Sequence, residues 1–152
     1  MHVVLVEPEI PQNTGNIART CAATGTTLHL VKPLGFSTSN KYLKRAGLDY
    51  WHLVSIHYHD SLADFWRQYA GCTFHLVTKR AARCYSDVSY GLDDFLIFGK
   101  ETQGLPQEIL DRYPEKCIRI PMRREARSLN LSNAVAIVLY EALRQHGYCG
   151  LV

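Results

Sequence analysis

Five short apolar segments are the feature that most constrains how this chain can fold. Each is rich in β-branched residues, several are apolar at consecutive positions, and they occupy residues 2–6, 27–31, 73–77, 95–98 and 118–120. Such segments are typical of strands in a parallel sheet, because helices cover both faces of that sheet. Segments with helical patterns lie between them, so we predict an α/β fold with a largely parallel sheet flanked by helices.

The helical segments carry recognisable ends. Asn13 is predicted to cap the first helix, Ser61 or Asp60 the second, and Pro106 suits the first turn of a short third helix. In the last helix apolar residues recur at steps of three and four: Leu131, Ala134, Val135, Val138, Leu139, Ala142 and Leu143. The wide apolar face of this helix indicates burial against more than its own sheet.

The composition is that of one folded domain, which we predict over residues 1–152. Of these 152 residues, 47% are hydrophobic and 20% are charged, which provides for a core and excludes disorder. No apolar run approaches the ~20 residues of a membrane helix, and Met1 leads into the first apolar segment without a basic leader. We therefore expect a soluble, cytoplasmic protein with no membrane partner. The net charge of +3 neither demands nor excludes a polyanionic partner.

The cysteines and histidines show no metal-binding pattern. The five cysteines include no CxxC pair and no cluster with histidine at ligand spacing, so we expect reduced, mostly buried thiols and no metal site. The seven histidines are scattered, and each is interpreted as structural or surface unless a spatial partner gives it another role.

The first of three polar turns, residues 7–19, follows the first strand. Asn13 and Asn16 lie at the start of a helix, where unpaired backbone N–H groups can bind an anion. The turn matches neither GxGxxG nor GxxxxGKS, which gives little support to a dinucleotide or P-loop triphosphate site. Arg19 is either an ordinary surface residue or a group that shares the ligand-facing end of the helix.

The second and third polar turns, residues 98–106 and 118–133, also follow strands. Gly99 and Gly104 would let main-chain groups approach a ligand, although an ordinary turn with glycine at positive φ explains them equally well. In the third turn, Met122 offers an adaptable apolar wall. The third turn also carries arginines that either solvate the loop or bind phosphate, namely Arg123, Arg124 and Arg127.

All three turns are expected at the carboxyl edge of the sheet, where they would form one composite site. That site would combine backbone-exposing glycines, small polar helix caps, an apolar lining and arginines. It contains no convincing Ser/His/Asp or Cys/His set.

Together these segments resemble the SPOUT class of RNA methyltransferases, and within it the compact TrmL type, which methylates the ribose 2′-oxygen of the tRNA wobble nucleotide. The matching segments cover nearly the whole chain in the family order: EPEIPQNTGNIAR (7–19), PLGF (33–36), RAGLDYW (45–51), FGKETQGLP (98–106), IRIPM (118–122) and SLNLSNAVAIVLYEALRQ (128–145). Lys100 departs from the family, since some relatives carry proline there.

The resemblance implies a fold and a cofactor. The C-terminal part of the sheet is expected to form a deep trefoil knot, a rare topology, whose loops bind S-adenosylmethionine. The family's cofactor contacts map onto Leu76, Gly99, Ile120 and Ser128. The supporting pocket is expected to include Asn13, Asn16, Thr78, Glu101, Gly104, Met122, Leu129 and Asn130.

The resemblance also implies partners. A homodimer is expected to form through the helices beside the knot, which would explain the wide apolar face of the last helix. The substrate would be tRNA, with cytidine or carboxymethylaminomethyluridine at the wobble position. The candidate RNA-binding residues are Lys41, Arg45, Lys79, Arg80, Arg123 and Arg127.

Arg19 matches the family's proposed catalytic arginine. Transfer of a sulfonium methyl group to a ribose 2′-oxygen needs positioning and removal of a hydroxyl proton, but no metal. A guanidinium has a pKa above ~12, so a general-base role for Arg19 would require a large perturbation of that pKa. Orienting RNA phosphate and stabilising negative charge on the 2′-oxygen would not require one, and both roles stay open.

Three alternatives remain. The methylated nucleotide could lie elsewhere in tRNA or in rRNA. A non-catalytic RNA-binding domain could retain the fold, although Arg19 and the three-turn pocket argue against it. A small-molecule enzyme of the flavodoxin-like type is disfavoured because its phosphate loop is absent.

Overall fold

The computed structural model describes residues 1–37 and 52–152, in which strands and helices alternate. The strands are β1 (His2–Val6), β2 (Thr27–Val31), β3 (Ile56–His59), β4 (Phe74–Val77), β5 (Arg83–Cys84), β6 (Phe95–Phe98) and β7 (Cys117–Arg119). The helices are α1 (Pro11–Thr24), α2 (Leu62–Gln68), α3 (Gln107–Arg112) and α4 (Leu131–Gln145), with 3₁₀ turns at Tyr85–Asp87 and Pro114–Lys116. Within these described ranges, no helix is long and apolar enough to cross a membrane.

The strands form one seven-stranded sheet in the order β3-β2-β1-β6-β4-β7-β5. Every pairing in this sheet is parallel, so the predicted α/β fold with a parallel sheet flanked by helices is confirmed. All strands therefore point the same way, and the turns that follow β1, β6, β4 and β7 emerge side by side. Strand β7, although late in the chain, lies between β4 and β5.

Helices cover both faces of the sheet and divide the core into two layers. Helices α1 and α4 pack on one face, where Val3 and Leu5 of β1 are completely buried. Helices α2 and α3 pack on the other face, against Val4 and Val6 of the same strand. Because neighbouring residues of a strand point to opposite faces, both must be apolar. This explains the consecutive apolar positions in the sequence.

Helix ends match the sequence prediction in part. Ser61 caps α2 as predicted, accepting a hydrogen bond from Asp64 N at 3.1 Å. The prediction that Asn13 caps the first helix is wrong, because α1 begins at Pro11 with Ile10 as its N-cap and without any side-chain cap. Proline suits that first helical position. Pro106 is the N-cap of α3 and not a residue of its first turn.

Two strands were missed in the sequence because neither is an apolar run. Strand β3 carries histidine and tyrosine, and its two middle residues are exposed. Strand β5 has only two residues and pairs with β7 at Arg83 and Cys84.

The chain turns back on itself directly after β6. Gly104 N donates a hydrogen bond to Lys100 O at 2.8 Å, and Gly99 lies against the backbone of Gly104 and Leu105. A Cβ atom on Gly99 would lie 2.0 Å from the carbonyl carbon of Gly104, well inside any real contact. The turn therefore requires glycine at position 99.

Three histidines form a chain across the face that α2 covers. The Nδ1 of His2 lies 3.0 Å from Nε2 of His29, and Nδ1 of His29 lies 3.0 Å from Nε2 of His59. The Nδ1 of His59 is buried and has no hydrogen-bond partner among the described residues. Burial lowers the pKa of all three imidazoles, and burial together with the neighbouring histidines lowers that of His29 to about 3. The packing therefore favours the uncharged form of these histidines.

Acid is expected to destabilise the fold through these histidines. Their pKa values in the unfolded chain lie near ~6.5 and are lower in the folded chain, so the unfolded state binds more protons as the pH falls. Their contribution to stability is present above about pH 6.5 and is lost as the pH falls toward the folded value of about 3. Each proton that the unfolded state binds in excess of the folded state makes the free energy of unfolding fall by about 1.4 kcal/mol more per pH unit. Urea unfolding at several pH values should therefore show a shallower decline in His29→Leu than in the wild type, and equal slopes would contradict the interpretation.

Substitution of Gly99 is expected to disrupt the turn. Gly99→Ala should lower the free energy of unfolding by more than about 3 kcal/mol, because backbone atoms must move to admit the methyl group. Gly25→Ala is a matched control, since Gly25 also needs glycine, with φ at 65°, but has open space around its Cβ position. The control should lose only about 1–2 kcal/mol. Equal losses in urea unfolding would show that the close approach at Gly99 is unimportant.

Candidate functional site

A cleft of about 1180 Å³ opens at the carboxyl edge of the sheet. Its walls come from the turns that follow β1, β4, β6 and β7, which are neighbours in the sheet. Strand ends supply an apolar wall of Val6, Val77, Phe98 and Ile120. This composition, an apolar wall with polar turns around it, is typical of small-molecule sites.

The structure brings most of the predicted site residues together around this cleft. The lining includes residues from all three polar turns, as the composite-site hypothesis requires: Asn13, Gly99, Glu101, Gly104, Ile120, Met122, Ser128, Leu129 and Asn130. Thr78, which follows β4, also lines the cleft. Three turns that are far apart in sequence therefore form one surface.

Glu101 joins the turn after β6 to the start of α1. Its carboxylate accepts hydrogen bonds from Glu9 N at 2.8 Å, Ile10 N at 3.1 Å and Asn13 Nδ2 at 3.0 Å. Asn13 is almost completely buried, and its Oδ1 accepts a hydrogen bond from Asn130 Nδ2 at 2.9 Å. Asn130 in turn caps α4 by accepting from Ser132 N at 2.9 Å. One hydrogen-bonded chain thus connects the three turns.

Further contacts between the same two turns were not predicted from the sequence. Lys100 Nζ donates to Glu7 Oε2 at 2.9 Å, and this hydrogen bond raises the pKa of the Lys100 ammonium. Thr102 donates to Glu9 Oε2 from its backbone N at 3.2 Å and from Oγ1 at 2.8 Å. In the sequence these residues stand in two short charged segments, Glu-Pro-Glu at 7–9 and Lys-Glu-Thr at 100–102. Only the order of the strands in the sheet brings the two segments together.

Several of the predicted RNA-binding cations lie at the mouth of the cleft. Lys79, Arg80 and Arg127 line it. Lys79 Nζ donates to Arg127 O at 3.2 Å, and Arg80 donates to Gln107 Oε1. Arg123 is exposed and does not line the cleft. Lys41 and Arg45 lie outside the described residues.

Three other predicted residues do not line the cleft. Leu76 is completely buried inside β4, and the residues after it, Val77 and Thr78, reach the cleft instead. Asn16 and Arg19 lie on the exposed face of α1, whereas Asn13 one turn earlier faces inward. Any part that Arg19 plays at this cleft therefore depends on how α1 is held against it.

The cleft is suited to binding and orientation. In residues 1–37 and 52–152, no group of three or more His, Cys, Asp or Glu side chains could hold a metal ion. The apolar wall can enclose a flat ring, the glycine-containing turn after β6 exposes main-chain groups, and the cations at the mouth can bind anions. The arrangement therefore fits a ligand with an aromatic ring inside and a polyanionic partner outside.

Comparison with known proteins agrees with this geometry. Residues 1–140 match the model of the SpoU rRNA methylase family. A tRNA (cytidine(34)-2'-O)-methyltransferase of Methylovorus glucosotrophus is 52% identical over 99% of this chain and 98% of its own length.

Solved structures show the same fold. One comes from work on the 2-OH methylation of C/U34 on tRNA. It superposes with a TM-score of 0.92 at 47% identity, over 96% of this chain and 95% of the other. An AdoMet-bound rRNA methyltransferase of Sinorhizobium meliloti superposes with a TM-score of 0.83 at 31% identity, over 94% of this chain and 55% of the other. The chain belongs to the SpoU family of RNA methylases.

Proposed function

We propose that this protein transfers a methyl group from S-adenosylmethionine to the ribose 2′-oxygen of the tRNA wobble nucleotide, cytidine or carboxymethylaminomethyluridine. The observation that carries the proposal is the meeting of three distant turns around one cleft, with cations at its mouth. The full-length relative named for cytidine 34 supports the choice of nucleotide. The reaction would take place in the cytoplasm, where tRNA is found.

The residues of the cleft fit S-adenosylmethionine. A volume of about 1180 Å³ accommodates a nucleoside with an amino-acid arm, and the apolar strand ends can enclose an adenine ring. The backbone at Gly99, at Ile120 and next to Leu76 would hold the adenine and ribose, with Ser128 as a further contact. When bound, the cofactor supplies an electrophilic methyl group on a sulfonium.

The chain's own residues would position the RNA and stabilise charge. Transfer to the 2′-hydroxyl would require its proton to pass to a base, for which solvent water is available at the open cleft, and the oxygen would carry partial negative charge as that proton leaves. The Arg19 guanidinium is a cation with five N–H donors and no acceptor, so it is suited to offset that charge or to hold an adjacent phosphate. We favour this role over proton abstraction by Arg19, because a guanidinium cation has no lone pair available to accept a proton.

We also propose that the C-terminal part of the chain forms a deep trefoil knot. One observation supports it: β7 is inserted between the earlier strands β4 and β5.

Two chains are proposed to form a homodimer beside the cleft. Large apolar side chains stay exposed on α4 and at the cleft: Tyr140 on α4 is 44% exposed, and Ile10 and Leu129, which also line the cleft, are 42% and 39% exposed. Burial of such side chains in an interface is favourable. Pairing would also combine the cations Lys79, Arg80, Arg123 and Arg127 of both chains into one tRNA-binding surface, with Lys41 and Arg45 as further candidates.

Incubation of the purified protein with S-adenosylmethionine and tRNA should methylate the wobble ribose. Mass spectrometry of the digested RNA is expected to show one 2′-O-methylated nucleotide at position 34. The matched control is an anticodon stem-loop with 2′-deoxyribose at that nucleotide, which lacks the acceptor oxygen and should gain no methyl group. Methylation at a different nucleotide would support 2′-O-methylation of tRNA but would refute the wobble nucleotide as its target.

Replacement of Arg19 should abolish transfer without loss of cofactor binding. Arg19→Ala is expected to reduce kcat at least about 100-fold, the scale of a lost charge-stabilising group, while the Kd for S-adenosylmethionine measured by calorimetry stays within about twofold, since Arg19 does not line the cleft. Arg67→Ala, at an exposed arginine on α2 that does not line the cleft, is the control and should retain activity. Near-normal turnover by Arg19→Ala would exclude the proposed role.

A further inference from the structure

Two turns, the one between β1 and α1 and the one after β6, exchange hydrogen bonds: each donates to a carboxylate of the other. Glu9 accepts two hydrogen bonds from Thr102 through its carboxylate, while its own amide N donates to Glu101. The Lys100–Glu7 ion pair, at 2.9 Å, closes the same junction. We call the contacts of Glu7 and Glu9 with Lys100, Glu101 and Thr102 the clasp.

The β1–α1 turn is also held from its other side. Glu7 has φ at 51°, a left-handed conformation that is unfavourable for a non-glycine residue, and its N donates to Val31 O at 2.9 Å. Gly35 N donates to Pro8 O at 2.9 Å, and a Cβ on Gly35 would lie 2.7 Å from Glu9 Cα. The turn is therefore fixed on one side by contacts with Val31 and Gly35, in and after β2, and on the other side by the clasp.

The clasp supplies what the start of α1 lacks. No side chain of α1's own caps the helix, and its first turn contains no acidic residue. Glu101 brings a carboxylate to this end from a segment about 90 positions away, accepting from Ile10 N. A negative charge at a helix N-terminus is favourable, because the first N–H groups lack partners and the helix dipole is positive there.

We propose that the clasp couples the cofactor cleft to the α1 helix, so that Glu9, Thr102 and Lys100 are positioning residues for Arg19. The turn with Lys100 and Thr102 lines the cleft, whereas Arg19 lies outside it on α1, about 9 Å along the helix from Asn13. A ligand that contacts this turn therefore also acts on the start of α1 through the clasp. Binding of S-adenosylmethionine and of RNA should then strengthen each other, because coupling between two sites is reciprocal.

This inference rests on the proposed function, and Glu9 provides its test. The affinity for S-adenosylmethionine is measured by calorimetry with and without a saturating anticodon stem-loop RNA, and kcat and KM are measured with tRNA. In the wild type the RNA should tighten cofactor binding at least about fivefold, within the usual range of coupling. In Glu9→Ala this factor should fall to about one, and kcat should fall about tenfold or more. The KM for tRNA and the cofactor Kd without RNA should change little.

The conservative variant separates positioning from folding. In Glu9→Gln the side-chain oxygen can still accept from Thr102, so coupling and kcat should return toward the wild type. Should Glu9→Ala fail to fold, Lys100→Met and Lys100→Arg test the coupling factor at a partly buried residue, with Arg retaining the ion pair to Glu7. Because Lys100 lines the cleft, the coupling factor is compared within each variant, as the ratio of its cofactor Kd values without and with RNA.

The outcomes distinguish this inference from the proposed function. A wild type that methylates tRNA but shows no coupling, or alanine and glutamine variants that both match it, would overturn the clasp alone. Equal loss in Glu9→Ala and Glu9→Gln would also overturn it, because the acceptor would then be irrelevant. A wild type that transfers no methyl group would overturn the proposed function and this inference with it.

Discussion

The carboxylate of Glu101 is the interaction on which the shape of the site depends. It satisfies two backbone N–H groups at the start of α1 and the amide of Asn13, and through Asn13 it reaches Asn130 at the start of α4. The parallel sheet places these turns at one edge, but strand pairing alone leaves their loops free. Hydrogen bonds to a charged group are stronger than neutral ones, which suits a junction that must hold three segments at once.

Much of this arrangement could be predicted from local patterns. Consecutive apolar residues such as Val3 and Val4 require a sheet covered on both faces, and a sheet of parallel strands collects the turns at one edge. The cap at Ser61 and the αL glycine at Gly25 follow from backbone chemistry that acts within a few residues. These features depend on neighbours in sequence, and the resemblance to an RNA methyltransferase family added the order of the segments.

The parts that could not be predicted depend on partners far away in the sequence. Glu9 and Thr102 are separated by 93 positions, and nothing in either segment alone indicates the pairing. Asn13 is a reasonable helix cap in isolation, yet its buried amide is used between Glu101 and Asn130. The histidines are unremarkable until β1, β2 and β3 align them. Strand β3 itself is polar, so only pairing with β2 identifies it as a strand.

The bond between Asn13 and Asn130 spans 117 positions. No fragment that lacks either Asn13 or Asn130 can therefore form the complete cleft, because both residues line it. A partly folded chain would contain strands and helices but would have no activity. RNA would thus meet an active surface only on molecules whose C-terminal segment has already docked, so activity would appear only when folding is complete.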